Sequence, residues 1–271
     1  MTSPLNKKQF FLLVLFVLSS LPFFIDLSSA SEVGKKEYEL FDPKLSSIRS
    51  VHELITYNDN LVRSAGKFSP MDTAFYVESL GDLVKARFKH GLANYSLSNN
   101  WIAFVSSKLL WSHFSAIVDA NDILKREEGL CSQQTIVFLE ALKEKGIPAR
   151  SVGLGKKEGP GHFIAEVRVD GTWHIYDVSL EPEWSELKTT HQSMEYYQQH
   201  TDSLFKVYRN RMPVEMFNTL IKKIDYGEVG AFPAKKMYFF HAITYIVTLF
   251  LPTLFLFLFI RSLYRKKQKI K

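Results

Sequence analysis

One cysteine occurs in the whole chain, Cys131, within EEGLCSQQTIVFLEALKEKGIPAR; His162 and Asp177 follow at gaps of 31 and 15 residues. Together these three residue types can run acyl transfer. A thiolate attacks an acyl carbon, and an imidazole takes up a proton and returns it to the leaving group. A carboxylate on the far ring nitrogen fixes the orientation and tautomer of the imidazole. The other histidines (His52, His90, His113, His191 and His200 among them) are scattered without ligand spacing, so no metal site and no cofactor is expected.

The elements that must position the three residues can be read from periodicity. Cys131, Thr135, Phe138 and Leu142 fall on one helical stripe that stops at Gly146, with Pro148 beyond it. Cys131 therefore stands at a helix start, where the positive end of the helix stabilises a thiolate and lowers the thiol pKa. Its backbone N–H is placed to serve an oxyanion. The alternative is an inert buried thiol packing as a small hydrophobe.

Three strand-like runs follow, ARSVGLG, HFIAEVRV and WHIYDVSL, with Asp170–Gly171 as a hairpin turn between the last two. His162, Ile164 and Glu166 share one face of their strand, as do Trp173, Ile175 and Asp177 of theirs. A short turn then brings His162 and Asp177 to the same open end of the hairpin. His174 and Tyr176 point the other way and read as structural, Trp173 as core, and Glu166 as solvated or paired.

Glu32 to Glu128 reads mostly helical, in stretches around Ser50–Gly66, Met71–Gly91 and Asn99–Gly129, and helix-like segments resume at His191–Asn210 and Pro213–Ile224. The expected fold is α+β, with helices before and after a small antiparallel sheet and an apolar helix at the carboxyl end.

GLCSQQTIVFLEALKEKGIPARSVGLG followed by GHFIAEVRVDGTWHIYD resembles the core of the transglutaminase-like superfamily over Asn121 to Trp184. The Gly-x-Cys helix start, the exit GIPAR, the His opening a strand, DG-x-W and the closing Asp all match in order. The resemblance implies a papain-like fold with Cys131 as nucleophile, His162 as base and Asp177 as orienter. Members include glutamine–amine cross-linkers, cysteine peptidases, amidases and inactive relatives, which implies a protein or peptide substrate. The family's oxyanion-stabilising side chain, upstream of the nucleophile, has no assigned counterpart; Trp111, Asn121 and Gln133 are available.

Two apolar runs flank this region. Phe10 to Ile25, after Lys7 and Lys8, is either a secretory signal cleaved after Ala30 or a retained anchor. Met237 to Ile260 contains no charged side chain and is long enough to cross a bilayer as a helix kinked at Pro252. The tail from Arg261 holds six of the 34 Lys and Arg, leaving 28 against 28 Asp and Glu, so the formal charge of +6 sits wholly in the tail. A balanced remainder argues against a nucleic-acid partner. By the positive-inside rule both termini face the cytoplasm. The expected organisation is thus 1–30 signal or anchor, 31–234 extracytoplasmic domain, 237–260 transmembrane helix and 261–271 cytoplasmic tail, on the periplasmic side of a bacterial inner membrane.

Two functions fit. One is a membrane-anchored thiol enzyme that cleaves or transfers an amide acyl group through a Cys131 thioester, with hydrolysis favoured because transfer needs an amine to outcompete water. The other is an inactive module of the same fold, used for binding or assembly in the cell envelope.

Overall fold

The structure, a computed structural model, describes residues 5–25, 40–68, 72–155, 161–180 and 192–270. The cleavage point after Ala30, residues 156–160 before His162, and Glu181–Trp184 lie outside the described residues. The chain is a mixed α and β fold that separates into two compact units.

The larger unit takes in residues 31–93 and 117–234. It is built around one helix. Helix α2 (Val51–Ser64) and helix α3 (Thr73–Arg87) precede a two-residue strand β1 (Lys89–His90); α5 (Ala120–Leu124) precedes β2 (Glu128–Gly129), and β1 and β2 pair in parallel. Helix α4 (Trp101–Leu109) belongs to the smaller unit. Helix α6 (Cys131–Glu144) buries nine residues, from Gln133 to Leu142, because α2, α3 and α5 pack on one side of it and a sheet on the other. A helix covered on both sides is apolar over most of its circumference, which is why the stripe read from Cys131, Thr135, Phe138 and Leu142 understates its burial.

The sheet runs β5–β4–β3–β6, all antiparallel, with β3 (Ala149–Gly155), β4 (Gly161–Val169), β5 (Thr172–Tyr176) and β6 (Ile224–Tyr226). Asp170 and Gly171 both adopt positive φ (49° and 85°), the two-residue hairpin geometry that Asp-Gly favours. This turn sets Val169 opposite Thr172 and Ala165 opposite Tyr176. The register puts Ile164, Ile175 and Val152 on the face covered by α7 (Met194–Gln199), α8 (Thr201–Tyr208) and α9 (Val214–Leu220), where they share a core with Met194, Leu204, Tyr208 and Phe217. Tyr176, on the opposite face, packs against Phe138 of α6 and is buried.

Three local expectations shift. The helical stretch Asn99–Gly129 breaks after Leu109 and again at Ala116–Asp119, where Asp119 turns extended and caps α5 by accepting from the N–H of Asp122. Ile224–Tyr226, read as loop and helix end, forms the edge strand β6 against Val152–Leu154. Trp173 is half-buried rather than core, because the guanidinium of Arg150 lies over its ring at 4.7 Å and over Tyr226 at 4.4 Å.

Glu166 is paired. Its carboxylate is fully buried, accepts from Arg150 Nε at 2.8 Å and Nη2 at 2.6 Å, and accepts the Met194 N–H that opens α7. A buried carboxylate is stable only while its cation stays. Arg150→Ala should therefore lower stability by about 3 kcal/mol, seen as an earlier thermal unfolding midpoint of the detergent-solubilised chain; an unchanged midpoint would show that Met194 and water satisfy Glu166 alone.

The smaller unit takes in residues 1–30, 94–116 and 235–271. Helix α1 (Lys7–Ser20) opens with a capping box between Asn6 and Gln9, and α10 (Lys235–Ile270) runs 36 residues. Lys7–Phe24, which extends α1 by a further turn, and Lys235–Arg265 of α10 are candidate membrane spans by length and composition. They pack against each other, and buried Gln9 donates through Nε2 to the carbonyl of Ser262 at 3.2 Å.

Candidate functional site

The site forms where the start of α6 meets the beginning of β4 and the end of β5. Two glutamines build the approach to Cys131. Gln133 accepts through Oε1 from the N–H groups of Leu130 and Ala93, and donates through Nε2 to the carbonyls of Ala93 and Ile117. Gln134 Nε2 donates to the Gly129 carbonyl at 2.7 Å. These bonds tie the residues before the helix to its first turn. The cap residue, Leu130, offers no side-chain acceptor to the first helical N–H groups. The positive end of α6 is therefore left for what lies beside Cys131.

His162 opens the buried part of β4, and Asp177 stands one residue past β5. In the β4–β5 register the residue after Tyr176 falls beside Ile164, on the face that carries His162. His162 Nε2 is 2.6 Å from Asp177 Oδ2, with both side chains buried. That bond leaves Nδ1 as the ring nitrogen for the thiol. Cys131, partly exposed, faces His162 and the backbone N–H of Phe163 closely enough for both to lower its pKa. Thr135 Oγ1 donates to the Phe163 carbonyl at 3.0 Å and so fastens the second turn of α6 to the same strand. The structure thus brings together all three residues read from the sequence.

Asp177 accepts five hydrogen bonds among the described residues. Oδ1 takes the Ser179 N–H at 3.0 Å, the Ser179 hydroxyl at 2.9 Å and the Leu180 N–H at 3.0 Å. Oδ2 takes His162 and the Tyr208 hydroxyl, the latter at 2.8 Å. Tyr208, from the end of α8, is buried and presents its ring edge-on to His162 at 6.3 Å between centroids. Sequence reading missed Tyr208, since nothing local marks one tyrosine on an amphipathic helix as the partner of an aspartate 31 residues earlier. Ser179 was findable: Asp-x-Ser at a strand end signals an Asx turn.

The charges follow from these contacts. Burial raises the Asp177 pKa, but His162 and the backbone donors outweigh it and hold the carboxyl far below the usual range. Burial pushes the His162 imidazole down, yet the charge and hydrogen bond of Asp177, with the thiol beside it, carry it well above its ordinary value. Burial raises the Cys131 thiol, while the hydrogen bond and charge of His162 and the Phe163 N–H bring it below its ordinary value. All three shifts favour the charged forms: thiolate, imidazolium and carboxylate.

Among the residues considered for an oxyanion role, Gln133 and Asn121 are engaged in other bonds. Gln133 spends its amide on Ala93, Ile117 and Leu130, and Asn121 accepts the Val51 N–H at 2.9 Å to fix the start of α2. Trp111 belongs to the smaller unit, stacked on His113 and half-exposed. No cluster of three His, Cys, Asp or Glu able to hold a metal ion occurs among the described residues.

Residues 89–178 match the family model of the transglutaminase-like superfamily, from β1 through the residue after Asp177. A solved structure described as "Crystal structure of a TGase" is similar at 17% identity and a TM-score of 0.32, over 55% of this chain and 35% of its own. The chain thus spans about a third of that structure's length. No curated protein sequence matches the chain. Residues 89–178 are a transglutaminase-like superfamily domain.

Two measurements probe the charge arrangement. Alkylation of Cys131 by iodoacetamide should persist below pH ~8.5, the midpoint of an ordinary thiol. It fades as pH falls through the lowered thiol pKa. His162→Ala removes the charge and hydrogen bond that lower it and leaves burial in force, so its profile should move above the ordinary thiol's. Coincident profiles would rule out the ion pair. Tyr208→Phe removes one donor from a buried carboxylate and should cost about 1.5–3 kcal/mol in thermal unfolding, with no loss expected if the hydroxyl bonds water instead.

Proposed function

We propose that the chain is a membrane-anchored thiol enzyme that hydrolyses an amide bond in a protein or peptide through a Cys131 thioester. One observation carries the reading: His162 is held by Asp177 at 2.6 Å through one ring nitrogen while the other is left to a thiol of lowered pKa.

In this reading the Cys131 thiolate attacks the amide carbon, and the developing oxyanion draws on the N–H groups at the start of α6. The imidazolium of His162 gives its proton to the departing amine as the carbon–nitrogen bond breaks, leaving the acyl group on sulfur. Water then adds to the thioester, its proton passing to the now neutral imidazole. Collapse of the adduct releases a carboxylic acid and restores the pair. Asp177 keeps the ring in place and balances its charge throughout.

The membrane part of the proposal rests on α10, whose apolar run ends in the basic residues from Arg261. By the positive-inside rule the tail lies in the cytoplasm and the site outside it, on the periplasmic side if the source is a bacterium.

The test is the full chain in detergent, incubated with cell-envelope protein in ¹⁸O-labelled water. Wild type should place label in new carboxyl groups of specific proteins, and Cys131→Ala should place none. Equal labelling by both would end the enzymatic reading. Incorporation of an added primary amine in place of label would assign transfer rather than hydrolysis.

A further inference from the structure

The smaller unit presents an apolar surface that the proposed chemistry does not use. Leu109, Leu110 and Trp111, at the end of α4 and just beyond it, are 76%, 77% and 52% exposed and consecutive. Single exposed apolar residues are ordinary, but three large ones in a row need a partner.

Their place along α10 says which. At one end of that helix, Gln9 of α1 bonds the Ser262 carbonyl, beside Lys7 and Lys8 and the Arg261 tail. At the other, residues of the 94–116 segment settle on α10. Asn100 Nδ2 donates to Thr244 Oγ1 at 2.9 Å, His241 Nε2 lies 2.8 Å from the Phe114 carbonyl, and Tyr95 stands edge-on to His241 at 4.9 Å. From Ser262 to His241 the helix climbs about 31 Å at 1.5 Å per residue, close to the ~30 Å hydrocarbon thickness of a bilayer. With the basic flank at one membrane face, the 94–116 segment stands level with the other. An aromatic chain then joins the patch to the helix: Trp111 meets Phe114 at 5.5 Å, and Phe114 meets Phe240 at 4.8 Å. Tryptophan and tyrosine belong at this depth, and Tyr238 and Tyr245 of α10 flank it. Lys108, the nearest cation, lies over the Phe104 ring and can extend its ammonium toward headgroups.

We propose that Leu109, Leu110 and Trp111 insert into the acyl–headgroup boundary of the leaflet opposite the basic tail, so that α4 rests on lipid. This rests on α10 spanning the membrane. The segment thereby becomes a second, interfacial contact that fixes the rotation of the smaller unit about its helix.

The test uses the full chain in lipid nanodiscs, with Trp111 made the sole tryptophan by Trp101→Phe, Trp173→Phe and Trp184→Phe. Lipids brominated near the ester end of their chains should quench most Trp111 emission, and lipids brominated near the chain terminus much less. As a control for the span, Phe250→Trp with Trp111→Phe should show the reverse order. Unquenched Trp111 beside a quenched control overturns the interfacial contact alone; loss of quenching at both positions overturns the span beneath it. Hydroxyl-radical footprinting of the unmodified chain in the same nanodiscs should find Trp111 protected. Protection without bromine quenching would assign the surface to another protein copy and overturn the proposal.

Discussion

A buried carboxylate that stays charged is the constraint on which the site depends. Asp177 has no solvent exposure, and burial alone would drive it toward the neutral acid. It remains ionised because donors come to it from three places in the chain: the turn that follows it, strand β4, and the end of α8. The charge so held raises the imidazole pKa, and the charged imidazole lowers that of the thiol. Burial penalises each charge and strengthens the attraction between them, and here the hydrogen bonds and partner charges outweigh the penalty.

The same logic explains the two glutamines at the start of α6. A helix end is useful to a thiolate only if its first N–H groups are not already satisfied by a cap. Leu130 supplies no side-chain acceptor, so something other than a capping side chain must hold the chain in register there. Gln133 and Gln134 do this from within the helix, reaching back to Leu130 and Gly129 and across to Ala93 and Ile117. Both amides are buried and bond to backbone, and no capping side chain closes the positive end of the helix beside Cys131.

How far the sequence revealed this differs by interaction range. Cys131, His162 and Asp177 were legible because helix start, strand start and Asp-Gly turn are local signals, and because the motif binds them in one order. The strands β3 and β4 matched their apolar runs for the same reason. Tyr208 was not legible, since its bond to Asp177 joins elements that meet only through tertiary packing. Nor was Gln133: an amide near a nucleophile reads as an oxyanion donor until its four bonds are seen. The short strands β1, β2 and β6 carry too few residues for any period to show. Arg150 between Trp173 and Tyr226 likewise depends on strand order, which alternation along each strand does not encode.

In the proposed reaction, an imidazole held above its ordinary pKa suits the first half of acyl transfer and opposes the second. Acylation needs an acid for the leaving amine, and the imidazolium supplies it. Deacylation needs a base, and a ring that stays protonated would stall at the thioester. The coupling resolves the conflict, because part of what raises the His162 pKa is the thiol group itself, through both charge and hydrogen bond. Once sulfur is acylated its negative charge is gone, and that contribution goes with it while burial continues to push the pKa down. Proton transfer to the amine leaves the ring neutral at the moment when neutrality has become easier to keep. Asp177 stays charged in both halves and holds the ring's orientation. In the proposed reaction the covalent state of Cys131 would therefore set whether His162 serves as acid or base.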